Sequence, residues 1–311
     1  MMDKVSFYDL GLCYEEGNGV LKDLPKAFAY YQKAANQGCA EAQFKLGIYY
    51  YNGEGVQKDL FKAAECYQNA ADQGHAQAQC CLGRCYEQGI GVTTNLEKAI
   101  HLYQIAAKQG NAQAQCNLGI CYEHGKGIQK DLVNAFEWYL KAADQGNVEA
   151  QFHVGDCYEN GEGVHQDLTK AFEYYNKAAN QGDAEAQCRL GICYEEGKGV
   201  EQNLTKAFEW YQNASLQENV QAYCRLAVCY ENAIGVEQNL DRAFEYYHKA
   251  AEKGNSRAQY YLGICFEYGR GLPQDFRKAV EFYQKAAEQG LEEAYAALSN
   301  AYTDGKGVEK I

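Results

Sequence analysis

The stretch LGICYEEGKGV, residues 190–200, recurs in close variants along this chain of 311 residues. Variants include LGLCYEEGNGV at 10–20, LGICYEHGKGI at 118–128 and LGICFEYGRGL at 262–272. The copies keep one register, because the opening leucine, replaced once by Val154, falls at positions 36 residues apart. Self-similarity at a fixed period indicates a repeat architecture. The question is whether the recurring Cys, Tyr and Glu form a catalytic loop or a structural joint.

The glycines support the same period. All 31 glycines fall in four columns, where a column means a set of positions 36 residues apart, and these columns begin at Gly11, Gly17, Gly19 and Gly38. Glycine punctuates turns and helix ends, so its confinement to four points per unit indicates that one structural unit is repeated.

Each unit is predicted to contain two helices. Helix B, at about 59–72 in the second copy, begins at a column that holds only Asp or Asn, from Asp23 to Asp275. Such side chains accept hydrogen bonds from first-turn amides, so this column predicts N-caps. Helix A spans about 40–52, with a similar cap at Asp183 in a later copy. Gly191 lies inside helix A, which costs about 1 kcal/mol relative to Ala and therefore predicts a close helix–helix approach.

One such helix pair cannot bury both of its apolar faces, so the copies are expected to stack around a continuous core. The sequence predicts an all-α protein with a single repeat array over residues 1–311. A ninth helix A is predicted at about 292–304, where Ser299, Asn300, Thr303 and Asp304 are typical of a solvated cap, although a longer array interrupted there would look the same. The eight preceding units begin near residues 4, 40, 76, 112, 148, 184, 220 and 256.

Composition narrows the functional class. The formal net charge of −13 argues against nucleic acid as a partner and favours, if anything, basic partners. No stretch approaches 18 apolar residues and the N-terminus has no signal-peptide pattern, so no membrane insertion is expected. The 14 cysteines are then expected to be reduced thiols in the cytoplasm. Secretion by a specialised system stays open.

The consensus A-x-A-Q-x-x-L-G-x-C-Y-E-x-G-x-G-V-x-x-[DN]-L-x-K-A-F-E-[YW]-Y-x-K-A-A-x-Q-G resembles the Sel-1-like repeat family, which is related to the tetratricopeptide repeats. The resemblance covers essentially the whole chain. It implies a right-handed α/α superhelix, or solenoid, of antiparallel helix pairs. It also implies a non-enzymatic scaffold or adaptor that brings other proteins together.

The cysteines are interpreted as packing residues. Seven occupy the column of Cys193, which also holds Tyr49 and Ala301, and replacement by aromatic residues and Ala is typical of an apolar position. Cysteine-rich relatives pair a Cys ending helix B with one opening the next helix A. Here the helix B positions are Ala178 and Ala179, so neither that disulfide framework nor a penicillin-related hydrolase activity is expected.

One metal arrangement is a distant alternative. Cys121 and His124 are three residues apart on one helix A, and His153 and Cys157 are four apart on the next, so each pair shares a helix face. Both cysteines belong to the packing column, which favours the absence of a metal site. No nucleotide-binding or protease motif is present, so neither a cofactor nor a catalytic residue is predicted.

The candidate binding surface follows from the resemblance. In tetratricopeptide-type stacks helices A line the concave face, which corresponds here to the columns of residues 41, 45, 48 and 52. The column of residue 45 is the most varied and includes His153, Arg189, Arg225 and Tyr261. In the eight units a neighbouring column is acidic except at Tyr51 and contains Glu15, Glu87, Glu123, Glu159, Glu195, Glu231 and Glu267. This carboxylate ladder would suit a basic or amide-rich peptide, and a solvated face is the alternative.

The seventh repeat departs from the consensus. Glu218, Ala227 and Ala233 replace three glycines, and Tyr223 replaces a glutamine. Two interpretations stay open, a local change in helix packing and a partner-specific pocket. For the protein as a whole, the sequence predicts a scaffold that binds a protein or peptide along the groove. A bacterial host-interaction protein or effector is the alternative, and a hydrolase or zinc protein is a distant one.

Overall fold

The computed structural model describes residues 4–307, which form α-helices joined by short loops, with no β-strand among them. The all-α prediction is therefore confirmed. The chain divides into two compact units. Unit 1 contains the residues up to Cys157 together with Gly161–His165, and unit 2 contains Tyr158–Asn160 and the residues from Gln166 onward. No helix in the described part of the chain has both the length and the hydropathy that a membrane crossing requires.

In both units the helices pack as successive antiparallel pairs, in which odd-numbered helices are helices A and even-numbered helices are helices B. The last three residues of α9 belong to unit 2. The helices beginning in unit 1 are α1 (Lys4–Glu16), α2 (Leu24–Asn36), α3 (Ala40–Asn52), α4 (Leu60–Asp72), α5 (Ala76–Gln88), α6 (Leu96–Lys108), α7 (Ala112–His124), α8 (Leu132–Asp144) and α9 (Val148–Asn160). Those beginning in unit 2 are α10 (Leu168–Asn180), α11 (Ala184–Glu196), α12 (Leu204–Leu216), α13 (Val220–Asn232), α14 (Leu240–Glu252), α15 (Ser256–Tyr268), α16 (Phe276–Glu288) and α17 (Glu292–Asp304).

The predicted caps begin these helices. Every described helix B starts after an Asp or Asn whose side chain accepts a first-turn amide, as Asp167 does from the Lys170 N–H at 3.0 Å. Asp183 caps α11 in the same way. His75 caps α5 through Nδ1, which the sequence interpretation did not include. Each such bond satisfies an amide that has no partner within the helix.

The core is built around a column of tyrosines on helices B. Tyr31, Tyr103, Tyr139, Tyr175, Tyr211, Tyr247 and Tyr283 are almost completely buried. Gly191 on α11 lies against the Tyr211 ring, and a Cβ at Gly191 would stand 2.5 Å from Cε1 of Tyr211. The predicted close approach is therefore confirmed, and the partner that requires it is a tyrosine ring.

Gly199 shows why the loop from helix A to helix B also requires glycine. Its φ is +68°, and a Cβ there would lie 2.0 Å from the carbonyl oxygen of Leu168. The loop therefore passes directly over the first residue of the helix B in the preceding repeat. This glycine brings successive repeats together, in addition to tightening its own loop.

The seventh-repeat substitutions compensate one another. In the preceding repeat the Gln217 amide donates to the Gln187 side chain at 3.0 Å. Tyr223 and Lys253 replace this glutamine pair in the next repeat, and the Lys253 ammonium instead contacts the Glu218 carboxylate at 2.8 Å. Glu218 itself adopts φ 61°, where other repeats have glycine. This junction thus has an exchanged polar contact, and both interpretations, a local change in helix packing and a partner-specific pocket, stay predictions.

Candidate protein-binding face

The thiol of the recurring motif is a packing group. Cys193 is 3% exposed, and burial raises the pKa of its thiol to about 12. Burial acts in the same direction on Cys229 and Cys265, whose pKa values are also about 12. All 14 cysteines lie in the described part of the chain, and all are free. A buried thiol that stays protonated is a poor nucleophile, so the buried cysteines of this column act as packing groups.

The four residues of the possible zinc set are not brought together as one cluster in the described part of the chain. Within residues 4–307, no group of three or more His, Cys, Asp or Glu side chains is arranged to hold a metal ion. Cys121 and Cys157 are buried in the helix packing. The two histidines lie beside a carboxylate of the ladder instead.

That carboxylate is Glu123. His153 Nδ1 lies 4.0 Å and His124 Nε2 lies 3.8 Å from its two oxygens. The His153 ring also stacks on Tyr139 at 4.6 Å between centroids. Both histidines therefore lie next to the Glu123 carboxylate, within unit 1.

The carboxylate ladder is fastened to the tyrosine core. Each of its glutamates accepts a hydrogen bond from the tyrosine hydroxyl 16 residues later in the chain. The pairs are Glu15–Tyr31, Glu87–Tyr103 (2.8 Å), Glu123–Tyr139 (2.5 Å), Glu159–Tyr175 (2.6 Å), Glu195–Tyr211, Glu231–Tyr247 (2.7 Å) and Glu267–Tyr283 (2.6 Å). A buried tyrosine hydroxyl needs an acceptor, and a carboxylate is a strong one.

This arrangement acts on the tyrosines electrostatically as well. Burial, together with the hydrogen bond to Glu195, raises the pKa of the Tyr211 phenol. Burial and the Glu231 carboxylate do the same to the pKa of Tyr247. A phenolate next to a carboxylate in a low-dielectric site would be strongly disfavoured. The tyrosines therefore stay protonated and keep donating.

Cations compensate much of the ladder's negative charge. In unit 1, Lys126 Nζ lies 3.6 Å from Glu87. Lys126 belongs to a group of cations in the loops between helix A and helix B, and the sequence interpretation missed this group. The signal was present in the sequence, because these cations share one column: Lys126, Lys198 and Arg270 lie 39 residues after Glu87, Glu159 and Glu231.

In unit 2 the same column supplies Lys198, 3.4 Å from Glu159, and Arg270, 2.6 Å from Glu231. Arg225, which the sequence assigns to the binding surface, lies 3.4 Å from Glu195. Arg189, which the sequence assigns to the same surface, lies 3.9 Å from Glu159. The ladder is consequently a mixed-charge surface.

The face combines a constant frame with a variable row. The carboxylates are largely covered, from 12% exposed at Glu231 to 25% at Glu123. The row of the residue-45 column lies beside them, with Arg225 28% exposed and the Tyr261 ring stacked on Tyr247 at 5.0 Å. At each of these carboxylates one oxygen accepts from a tyrosine hydroxyl, and at Glu159, Glu195 and Glu231 a cation also lies nearby. The arrangement is therefore suited to recognition by charge and shape.

The comparisons with known proteins agree with this fold. The family model described as Sel1 repeat matches eight times, at residues 8–39, 40–75, 76–111, 112–147, 148–183, 184–219, 220–255 and 256–291. No curated protein matches the chain.

Two solved structures are similar in both sequence and fold. One is a protective antigen present in uropathogenic Escherichia coli strains, which displays an SLR fold. It is 33% identical, with a TM-score of 0.71, and the match covers 99% of this chain and 74% of that one. The other is a Sel1 repeat protein from Oxalobacter formigenes. It is 32% identical, with a TM-score of 0.72, and the match covers 78% of this chain and 96% of that one.

Proposed function

The chain belongs to the Sel1 repeat family, and on that premise we propose that it is an adaptor that binds a segment of another protein along the helix A face. Solenoids of this family commonly serve as protein–protein interaction scaffolds and are generally not enzymes. For this chain we further propose that it has no catalytic activity and that it acts in the cytoplasm. The cytoplasmic location is in keeping with its 14 free cysteines.

The observation that carries the proposal is the contrast between two adjacent columns. The glutamate column is held by the same tyrosine bond in repeat after repeat, for example Glu195 to Tyr211. The row beside it changes chemistry, from His153 in unit 1 to Arg189, Arg225 and Tyr261 in unit 2. A frame that recurs in seven repeats and displays different side chains can recognise the sequence of a partner.

Charge indicates the kind of partner. In unit 2 the Oε2 oxygen of Glu195 is engaged by Tyr211 and Arg225. The Oε1 oxygens of Glu195 and Glu267 have no hydrogen-bond partner in the described chain. A basic side chain or a backbone amide of the partner would bind these oxygens, and an acidic residue would bind Arg189 or Arg225. The preferred partner is therefore a protein segment that includes basic residues.

We expect the double substitution Arg189→Gln/Arg225→Gln to reduce partner capture at least about tenfold. Each arginine is a partly buried residue of the variable row and would contact the partner directly. Neither arginine holds a core tyrosine, so the fold is expected to be retained. The measurement is crosslinking and capture of partners by the full-length chain in the cells that produce it, quantified by mass spectrometry.

A matched control removes the same two charges from helices B, as Lys206→Gln/Lys249→Gln. This control is expected to capture partners as the wild type does. Equal capture by the arginine variant, or equal losses in both variants, would rule out the helix A face as the site.

A second candidate function is interaction with a host organism. It is favoured by the similarity to the protective antigen of uropathogenic Escherichia coli, which is 33% identical over nearly the whole of this chain. The same binding face would then meet a host protein. Capture from host cells and from the producing cells, compared side by side, distinguishes the two roles.

A further inference from the structure

Four repeats share a layered stack on the side of helices B. In the fifth repeat Lys170 lies 5.1 Å above the Tyr158 ring, and Tyr158 stacks on Tyr174 at 6.0 Å between centroids. Lys177 then covers Tyr174 at 4.3 Å. The order is cation, ring, ring, cation. Equivalent ring pairs occur at Tyr14–Tyr30 (5.5 Å), Tyr230–Tyr246 (5.8 Å) and Phe266–Phe282 (5.6 Å).

The third repeat lacks the outer half of this stack. Tyr86 keeps its first cation, because Lys98 lies 5.1 Å from its ring centroid. The position of the second ring is occupied by Leu102, and the position of the second cation by Ile105. The outer face of Tyr86 therefore has no aromatic partner of its own repeat.

A groove is present where the ring is missing. It lies between α4 and α6, has a volume of about 520 Å³, and is lined by Tyr86, Leu102, Ile105, Gln68, Asp72 and Glu97. We call it the outer groove. Its volume is within the range of small-ligand pockets and exceeds what one aromatic side chain needs.

The second repeat provides an independent parallel. There the ring position is Cys66 and the cation position is Asn69. A smaller groove of about 330 Å³ lies at the corresponding place, lined by these two residues and Tyr50. The loss of the aromatic residue and the presence of a groove thus occur together twice in unit 1.

Charge favours a cationic group beside the ring. Ile105 and Asn69 remove two lysines that the consensus places on this side. Asp72 and Glu97 are exposed at the rim of the outer groove, and Glu97 makes no ion pair within residues 4–307. The lining also includes His101 and Lys98, which already covers the Tyr86 ring, and Asp72 Oδ1 accepts from Gln68 at 2.7 Å. The two carboxylates outnumber this lysine, so the groove still favours an incoming Lys or Arg.

We propose that the outer groove of unit 1 binds a protein segment that presents an aromatic side chain together with a Lys or Arg about one helical turn away. The ring stacks on Tyr86 and packs against Leu102 and Ile105. The cation covers the ring and faces Asp72 and Glu97. The bound segment thus completes the four-layer stack that other repeats complete internally. This site uses none of the residues of the helix A face, so the two proposals stand or fall separately.

The test uses the full-length chain and a capped tetrapeptide, Trp-Ala-Ala-Lys, that carries a 5-fluoroindole ring. Binding is followed by broadening of the ¹⁹F resonance. The fluoroindole peptide is expected to bind, and the dissociation constant of the same fluoroindole peptide with Glu in place of Lys is expected to be at least about tenfold higher. Absence of binding, or equal binding of the two peptides, overturns the proposal.

The matched variant is Leu102→Tyr/Ile105→Lys, which restores the consensus stack and is therefore expected to fold at least as stably as the wild type. It closes the outer groove, and the dissociation constant for the fluoroindole peptide is expected to rise at least about tenfold. Undiminished binding would show that the peptide binds elsewhere and would overturn the proposal.

The reverse exchange tests the same logic as a gain of function. Adding Phe282→Leu/Lys285→Ile to that variant is expected to open an equivalent groove between α14 and α16, within unit 2, where Glu252 takes the place of Asp72, and binding is expected to return. Circular dichroism establishes that the four-substitution chain is folded. If the folded chain does not bind, the missing ring is not what creates the site.

Discussion

Replacing Tyr211 by Ala is expected to lower the free energy of unfolding by about 3–5 kcal/mol, the usual cost of truncating a buried aromatic residue. Tyr211 is completely buried, its ring covers Gly191, and its hydroxyl donates to Glu195. The substitution leaves a cavity at the junction of α11 and α12 and removes the donor from a largely buried carboxylate. Denaturant titration of the full-length chain measures the change.

Tyr268→Ala is the matched control for this effect. Tyr268 lies in the same unit but is 63% exposed, so its loss is expected to change stability by less than about 0.5 kcal/mol. Similar losses in the two variants would contradict the assignment of the tyrosine column to the core.

Alkaline pH is expected to produce the other large effect. Burial raises the pKa of the thiols of Cys188, Cys193 and Cys229 to about 12, against an ordinary value of 9.0. Burial and the carboxylates also raise the pKa of Tyr211 and Tyr247 above 10.0. Above the unfolded pKa the unfolded chain loses protons that the folded chain retains. Stability is therefore fully present below about pH 9 and falls as pH rises, by about 1.4 kcal/mol per group and pH unit.

Denaturation midpoints measured between pH 7 and pH 11 check this expectation. The variant Cys188→Ala/Cys193→Ala provides the comparison, because removing two buried thiols should make the fall between pH 9 and pH 10 shallower. The tyrosines begin to contribute only above about pH 10. A midpoint that stays constant to pH 11 would contradict the burial of these groups.

Much of the fold was predictable because it depends on local chemistry. Asp167 caps α10 through a bond only three residues long, and such bonds leave a periodic trace in the sequence. Gly191 indicated a close approach because glycine inside a helix requires a compensating reason. The packing role of Cys193 followed from its replacement by Tyr and Ala in other copies. Each of these inferences used one column and its neighbours.

The candidate site was less predictable because its chemistry depends on pairs of columns. Glu195 was recognised as a surface carboxylate, but its bond to Tyr211 depends on how helix A packs against helix B. The contact of Arg270 with Glu231 joins residues 39 apart across successive repeats. The outer groove results from the absence of a ring at Leu102, which reads in the sequence as an ordinary apolar substitution. These features required the packed arrangement.

The central claim is that the recurring motif is a structural joint whose glutamate fastens the tyrosine core and thereby fixes the frame that displays the variable row. A double-mutant cycle with Glu195→Ala and Tyr211→Phe in the full-length chain tests it most directly. The predicted coupling free energy is about 1–2 kcal/mol, because either single change breaks the same partly buried bond. A coupling near zero would contradict the claim, since the carboxylate and the phenol would then contribute to stability independently.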